Sequence, residues 1–430
     1  MSISFILFGS FILLVLLRVP VAASIGLSSL LTIYLHPDMK MMVAPQKMFT
    51  AVGDSFPLMA VPFFMVAGAL MEKGGISSRL IRVASALVGS FTGGLALVTV
   101  TASMFFAAIS GSGPATVAAI GCLMIPAMVK QGYSLPFASA TQASAGYIGV
   151  IIPPSIPMIT YGVVTNTSIG QLFMGGFLPG ICIGLTLMAV AIIVSRKHGY
   201  KGVANTEPGE LWAATKDAIL ALLMPIIILG GIYSGAFTPT EAANVAVVYG
   251  FIISFFFYKE LKIKDLPDIL RKSAISSAMV MLLIATAMVF GQILTREGIP
   301  GQIASFFINI TSDPFMFLMI TNILLLIVGT FMETNAAIII LAPIFLPVIV
   351  NLGIDPVHFG IVMTINLAIG MITPPLGVNL FVACGITKLK IEALIRANWG
   401  YLFASILMLT LLTYFPRITL LLPELLNKGN

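Results

Sequence analysis

The sequence predicts an all-α polytopic membrane protein built as an inverted repeat, with two re-entrant hairpins and two helices broken at Pro-Pro. Three observations predict it. Hydrophobic residues make up 59% of the 430 positions and charged residues 9%, with a mean hydropathy of +1.08; a soluble surface of this size would carry about 25% charge, so lipid is the main solvent. The chain nonetheless holds 39 Gly and 25 Pro. Irregular backbone cannot face lipid, so these breaks must be buried in protein or line a wet cavity. Finally, Ile148-Gly149-Val150-Ile151-Ile152-Pro153-Pro154 recurs 221 positions later as Ile369-Gly370-Met371-Ile372-Thr373-Pro374-Pro375. At that offset Ala115 meets Ala336, Pro126 meets Pro347 and Gly132 meets Gly353, an ordered series that marks an internal repeat.

Apolar runs at 3–17 and 20–35 flank Arg18-Val19-Pro20 and form either a tight helix pair or one kinked helix; residues 1–52 are N-terminal scaffold. The first repeat, 53–195, opens with a span at 53–71, a glycine turn and a segment of mixed polarity at 76–92 that reads as an interfacial helix. A hairpin follows over 93–131, its arms meeting at Ser110-Gly111-Ser112-Gly113-Pro114, then the broken helix 135–164 and a span at 171–195. A cytoplasmic loop and central scaffold helices at 217–234 and 238–258 occupy 196–272. The second repeat, 273–398, has the same order: span 273–294, interfacial segment 299–312, hairpin 314–350 about Met332-Glu333-Thr334-Asn335, and broken helix 355–385. A C-terminal helix and tail cover 399–430. Simple loops between full spans are the alternative to re-entrant tips.

Charge separates the two. If each hairpin returns to its starting side, one face carries Lys40, Lys47, Arg296, Arg417 and Lys428, and the other carries the remaining 17 of 22 Lys and Arg. The basic face is cytoplasmic by the positive-inside rule, which makes the repeat inverted. The first positive charge, Arg18, follows the first apolar run. This order argues against a cleaved signal peptide and for a periplasmic N-terminus.

Several function classes fall away. There is no G-x-x-x-x-G-K-[ST] loop, no His or Cys at zinc spacing, and no visible nucleophile–base pair, so ATP hydrolysis, transition-metal binding and enzymatic chemistry are not expected. Paired hairpins argue against a channel's continuous pore. Cys122, Cys182 and Cys384 lie in apolar stretches and read as buried thiols. The Trp and Tyr residues read mostly as interface anchors.

Discontinuous helices in inverted repeats place solute and ion sites near the bilayer midplane. The two Pro-Pro pairs free carbonyls around Gly149–Ile152 and Gly370–Thr373, at half-helix C-termini that carry partial negative charge. Hydroxyls and carbonyls of Ser103, Ser110 and Ser112 in the first half, and of Gly329 and Thr330 in the second, can complete an oxygen cage for a small hard cation. Sodium suits such cages better than a proton relay, which would need a paired carboxylate or histidine. The plainer reading is that these glycines and prolines only shape kinks. Opposite half-helix ends expose amides that can hold a carboxylate: Pro114 starts one hairpin arm, Thr334 or Asn335 caps the other, and Ser155 and Gly377-Val378-Asn379 start the second half-helices. An acidic organic solute is therefore favoured. Asp54, Glu241 and Glu333 are functional candidates by position; each equally suits the cap of a helix N-terminus, Glu241 above all. Arg296 either meets an anionic solute or anchors a span at the interface.

The stretches SFPLMAVPFFMVAGALMEKGGIS, GYIGVIIPPSIPMITYG, GAFTPTEAANVAVVYG and GIDPVHFGIVMTINLAIGMITPPLGVNLF, spread from 55 to 381, resemble the large membrane subunit of TRAP (tripartite ATP-independent periplasmic) transporters. The resemblance implies an elevator-type sodium symporter in the bacterial inner membrane. Its partners would be a separate small four-helix membrane subunit and a periplasmic substrate-binding protein. It implies two Na+ sites: Ser103, Ser110, Gly149, Ile152 and Pro154 in the first half, and Gly329, Thr330, Gly370 and Thr373 in the second. Ser112, Pro114, Ser155, Thr334, Asn335, Asn379 and Arg296 remain the candidates for the solute. The family's solutes are mostly carboxylates, and similarity points to sialic acid (N-acetylneuraminate), with C4-dicarboxylate as the alternative. A single-component sodium/carboxylate symporter is the nearest rival.

Overall fold

A computed structural model describes residues 3–36, 39–202, 209–299, 301–302, 305, 311 and 313–427. Most of the interfacial segment expected at 299–312 lies outside these residues. Among the described residues nine helices are long and apolar enough to cross a membrane, and shorter apolar helices accompany them.

The N-terminal runs form two helices, α1 (Ile3–Leu16) and α2 (Val21–Leu35), parted where Arg18 takes φ 63° before Pro20. They pack with α3 (Val43–Gly53) and α13 (Leu266–Arg296) around Leu7, Ile25, Ile33, Ala44, Ile284 and Phe290. Phe8 and Phe11 set their ring edges against Phe290. A second, larger cluster takes in α4 (Ala60–Lys73), the amphipathic α5 (Ile76–Val88), α6 (Gly94–Ser110), α7 (Gly113–Lys130) and α8 (Leu135–Gly146). It continues through α9 (Ile156–Thr165), α10 (Ile169–His198), α11 (Glu210–Tyr233) and α12 (Pro239–Ile252). The second half contributes α14 (Pro314–Phe331), α15 (Thr334–Asn351), α16 (Pro356–Gly370), α17 (Val378–Thr387), α18 (Ile391–Tyr414) and α19 (Arg417–Asn427).

The helix starts are written in the sequence. Proline stands in the first two positions of α7, α8, α9, α12, α13, α14 and α16, where its missing N–H costs nothing. Side-chain caps precede α7 (Ser112), α9 (Ser155), α12 (Thr238), α15 (Glu333) and α16 (Asp355). Glu241 completes a capping box with Thr238, as its spacing predicts.

Burial shows which helices face protein rather than lipid. Phe137–Gly146 of α8 and Val357–Gly370 of α16 are buried at every position. In α8 small residues (Ala138, Ser139, Ala140, Ala143, Ser144, Ala145) permit close approach from all sides. α15 is enclosed too: two thirds of it is buried, against one third of α10. One face of α15 (Ala336, Ile339, Ile344) joins the N-terminal cluster and the other (Ala337, Ile338, Phe345) the large one. The second hairpin therefore lies between the two bodies.

Two expectations need correction. None of the cysteines is fully buried; Cys122 is exposed and Cys182 and Cys384 are half-buried, because the apolar surfaces they occupy face outward. Tyr147, Tyr161 and Tyr401 are not interface anchors but fully buried. Their hydroxyls reach Ser405 Oγ (2.8 Å), the Pro356 carbonyl (2.9 Å) and Thr141 Oγ1 (2.8 Å), satisfying a polar group that burial would otherwise penalise.

Candidate functional site

Both hairpin tips and both Pro-Pro breaks converge on one cavity of about 650 Å3. Its walls include Gly111, Ser112 and Pro114 of the first tip and Gly329, Met332, Glu333, Thr334 and Asn335 of the second. Val150, Ile156 and Pro157 flank the first break, and Gly370, Met371, Gly377 and Val378 the second. Pro20–Ala23, Met279 and Leu283 close it from the N-terminal body.

The tips are symmetry-related in detail. Gly111 (φ 62°) ends α6, and Ser112 Oγ accepts from Ala115 N at 3.5 Å. At the equivalent place Glu333 Oε2 accepts from Ala336 N at 3.1 Å. Glu333, not Thr334 or Asn335, is thus the cap of α15, because its longer side chain folds back onto the first free amide while those two enter the helix. Asn335 Nδ2 donates to Glu333 Oε1 at 2.8 Å, and Asn335 Oδ1 accepts from Thr160 Oγ1 at 3.0 Å.

The breaks are tied shut in parallel ways. Both Pro-Pro bonds are cis. Val150 O accepts from Ser155 Oγ at 2.5 Å, and its repeat partner Met371 O accepts from Asn379 N at 3.0 Å. Ile372 O takes a further bond from Asn398 Nδ2, 2.9 Å. Some of the carbonyls that the prolines release are therefore satisfied within the protein.

Close backbone approach explains the two repeat glycines. A Cβ on Gly149 would stand 2.5 Å from Thr116 Oγ1 and 2.6 Å from Ser112 O. One on Gly370 would overlap the Gly329 carbonyl and lie 2.8 Å from Gly329 Cα. Each break is pressed against its own hairpin at a spot only glycine fits.

The profile of the family described as "Tripartite ATP-independent periplasmic transporter, DctM component" matches residues 8–418. The chain belongs to that family. It is 45% identical to the C4-dicarboxylate TRAP transporter large permease protein DctM of Pseudomonas aeruginosa, covering 94% of this chain and 95% of that one. It is 49% identical to the isethionate TRAP transporter permease protein DctMQ of Oleidesulfovibrio alaskensis, over 96% of this chain and 65% of that protein's length. Identity to the sialic acid TRAP transporter large permease protein SiaM of Vibrio cholerae is 40%, over 89% of each. The Alcanivorax borkumensis YdaH transporter shares the fold at 15% identity, with a TM-score of 0.65 over 94% of this chain and 97% of that one. The permease is thus a multi-pass inner-membrane transport subunit, related to other permeases and to no enzyme family among these.

The sequence-predicted residues fall into four groups in the permease. Ser112, Pro114, Gly329, Gly370, Thr334 and Asn335 line the cavity. Ser103, Ser110, Gly149, Ile152, Pro154 and Ser155 are buried in the first half and are not among its lining residues. Ser103 Oγ has no hydrogen-bond partner among the described residues; Ser110 Oγ lies 3.0 Å from Thr116 Oγ1; Ile152 packs on Gly180 and Pro154 O on Gly111. Asn379 is likewise buried and not among the lining residues, bonded through Nδ2 to Ala143 O at 3.2 Å. Thr330 and Thr373 are half-buried, their hydroxyls donating to Ile327 O (2.7 Å) and Ile369 O (2.8 Å). Arg296 is not brought to the site: it lies at the end of α13 in a small cleft with Ile33, Met39 and Gln292, too far along the helix from Met279 and Leu283 to face the cavity. Asp54 lines another open cleft, with Asn166 and Ser168. Sequence reasoning missed Thr116, Thr160 and Asn398. The available signal was a run of hydroxyl and amide side chains inside apolar spans.

Proposed function

We propose that the permease imports a small organic anion together with sodium, by an elevator displacement of its hairpin-bearing core against the scaffold helices. A periplasmic binding protein delivers the solute, and a small four-helix membrane subunit assembles with the chain. The convergence of both tips and both breaks on one cavity of about 650 Å3 carries this reading. That volume suits a metabolite-sized ligand. The N-termini of α7 and α15 offer amides and a positive dipole end to an anion, with Ser112, Pro114, Thr334 and Asn335 around it.

Glu333 supports coupling to a cation, being the only ionisable side chain among the described residues that line the cavity. When ionised, Glu333 would add a second negative charge beside an incoming anion, and a bound cation would offset it in a low-dielectric surrounding. Oxygen ligands for a hard cation stand nearby. In the first site these are Ser103, its buried hydroxyl lacking a partner among the described residues, Ser110 and the backbone of Gly149, Ile152 and Pro154. In the second they are Gly329, Gly370, Thr330 and Thr373; the two threonine hydroxyls donate their protons to helix carbonyls and keep lone pairs for a metal ion.

The relatives' names supply the solute class. Isethionate, C4-dicarboxylates and sialic acid are all small organic anions. The relatives at 49% and 45% identity are named for the first two and that at 40% for sialic acid, so the preference rests at the class. The basic face carrying Arg196 and Lys197 is cytoplasmic, with the N-terminus periplasmic. The test is uptake into proteoliposomes holding the permease, its small subunit and a binding protein, with radiolabelled succinate, isethionate and sialic acid in turn. Uptake of one of them that requires an inward sodium gradient and fails with choline supports the proposal. Uptake of none, or uptake without a binding protein, overturns it, the latter in favour of a single-component symporter.

A further inference from the structure

The two halves are joined crosswise at the site. The half-helix that returns from the first break, α9, lies against the second hairpin's α15, and the one that returns from the second break, α17, lies against the first hairpin's α7. At each crossing a side chain bridges the repeats. Thr160 of α9 donates to Asn335 Oδ1 at 3.0 Å, sharing its proton with Ile156 O at 3.1 Å. With Glu333 ionised, Asn335 Nδ2 donates to its carboxylate, and this sets the orientation of the amide. Asn379 of α17 donates to Ala143 O of α8, while its Oδ1, fully buried and without a partner among the described residues, stands 3.3 Å from where a Cβ on Gly113 would lie.

These bridges complete a ring. Gly111 of the first tip abuts Pro154 O at the first break. Ser155 caps α9, Thr160 lies on α9, and its bond leads through Asn335 to Glu333 at the second tip. On that side Gly329 stacks on Gly370, Met371 O holds Asn379 N, and Asn379 returns to the first tip beside Gly113. We propose that Thr160 and Asn379 are positioning residues that couple the two cation sites, so that an ion bound in one half orders the tip in the other and sodium binds cooperatively. This rests on the sodium reading above. Neither side chain lines the cavity. Packed interfaces of this kind hold discrete arrangements rather than deforming continuously, which is what a coupling free energy requires.

Equilibrium binding of radiolabelled sodium to the purified full-length permease, with choline balancing ionic strength, tests the coupling without any solute. The expected wild-type curve is sigmoidal, with a Hill coefficient approaching about 2 for two sites. Thr160→Val is nearly isosteric and removes only the bridging hydroxyl. It should keep the number of bound ions, lower the Hill coefficient to about 1 and raise the half-saturating concentration about fivefold. Thr160→Ser restores the hydroxyl and should restore the wild-type curve; Asn379→Ala should act as Thr160→Val does. A Thr160→Val curve that superimposes on wild type overturns the coupling and leaves sodium binding intact. Loss of one bound ion also overturns it, by making Thr160 part of a site. A wild type that binds no sodium overturns the sodium reading itself.

Discussion

Replacing Gly370 by alanine perturbs the second break in a way whose size can be worked out. The added Cβ lies 2.8 Å from Gly329 Cα and overlaps the Gly329 carbonyl, where carbon atoms normally stand about 3.5–4.0 Å apart. Both neighbours are backbone, so relief requires the hairpin to move by about 1 Å. Overpacking of this kind costs about 1–3 kcal/mol. If that cost falls on the sodium-loaded arrangement, apparent sodium affinity drops about 5–150-fold. Gly329→Ala, whose Cβ meets Gly370 Cα and Leu367 Cα at 3.4 Å, should show a smaller loss. Gly385→Ala, with nothing within 4 Å, should show none. The assay is half-saturating sodium for uptake in proteoliposomes, with folded protein measured by monodispersity in detergent. Equal behaviour of Gly370→Ala and Gly385→Ala would refute the reasoning that backbone contact between break and tip builds the site.

Other variants probe other links. Ser103→Ala deletes a buried hydroxyl that has no partner among the described residues, so thermal stability should hold or rise slightly while half-saturating sodium rises about tenfold; unchanged sodium dependence would remove Ser103 from the site. Glu333→Gln keeps a side-chain acceptor for Ala336 N but removes the cavity's carboxylate charge, and should weaken the sodium dependence of solute binding, read by titrating solute at high and low sodium. At the basic face Arg79 donates to Glu260 (2.7 Å) and Gly75 O (2.8 Å), sits 3.7 Å above the Tyr258 ring, and is 17% exposed. Arg79→Ala should lose about 1–2 kcal/mol of stability, whereas Arg82→Ala, at a 47%-exposed pair with Glu210, should shift thermal unfolding clearly less; equal shifts would contradict this. For orientation, Lys197→Cys should resist and Lys40→Cys accept a membrane-impermeant thiol reagent in intact cells, against a background free of Cys122, Cys182 and Cys384.

Much of the fold was legible because its signals are local. Long apolar runs, prolines at helix starts and the repeated I-G-x-I-x-P-P segment mark out helices, hairpin arms and breaks from residue types alone. Gly149 and Gly370 were identified because a backbone that must touch backbone tolerates no Cβ, and that demand repeats at a fixed offset. What stayed hidden depends on direction and on partners distant in sequence. Glu333 was already a capping candidate, but its choice over Thr334 and Asn335 for α15 depends on a carboxylate long enough to fold back onto Ala336 N, a matter of side-chain length that pattern rules rank low. Thr160 reaches a residue 175 positions away, and Asn398 closes onto Ile372 O from another helix; neither spacing carries a local signal. Arg296 has the right charge for an anion, yet α13 carries it away from the cavity. The cysteines and buried tyrosines went astray for a related reason: in a membrane protein an apolar stretch does not say which of its sides meets protein and which meets lipid.

The number of sodium ions that cross with each solute molecule tests the central claim most directly. It is measured as simultaneous uptake of labelled sodium and labelled solute into proteoliposomes containing the permease with its small subunit and binding protein. Two cation sites at symmetry-related tips predict a ratio of at least about two, falling in Gly149→Ala and Gly370→Ala. Solute uptake that proceeds equally in choline, with no accompanying sodium, would contradict the account.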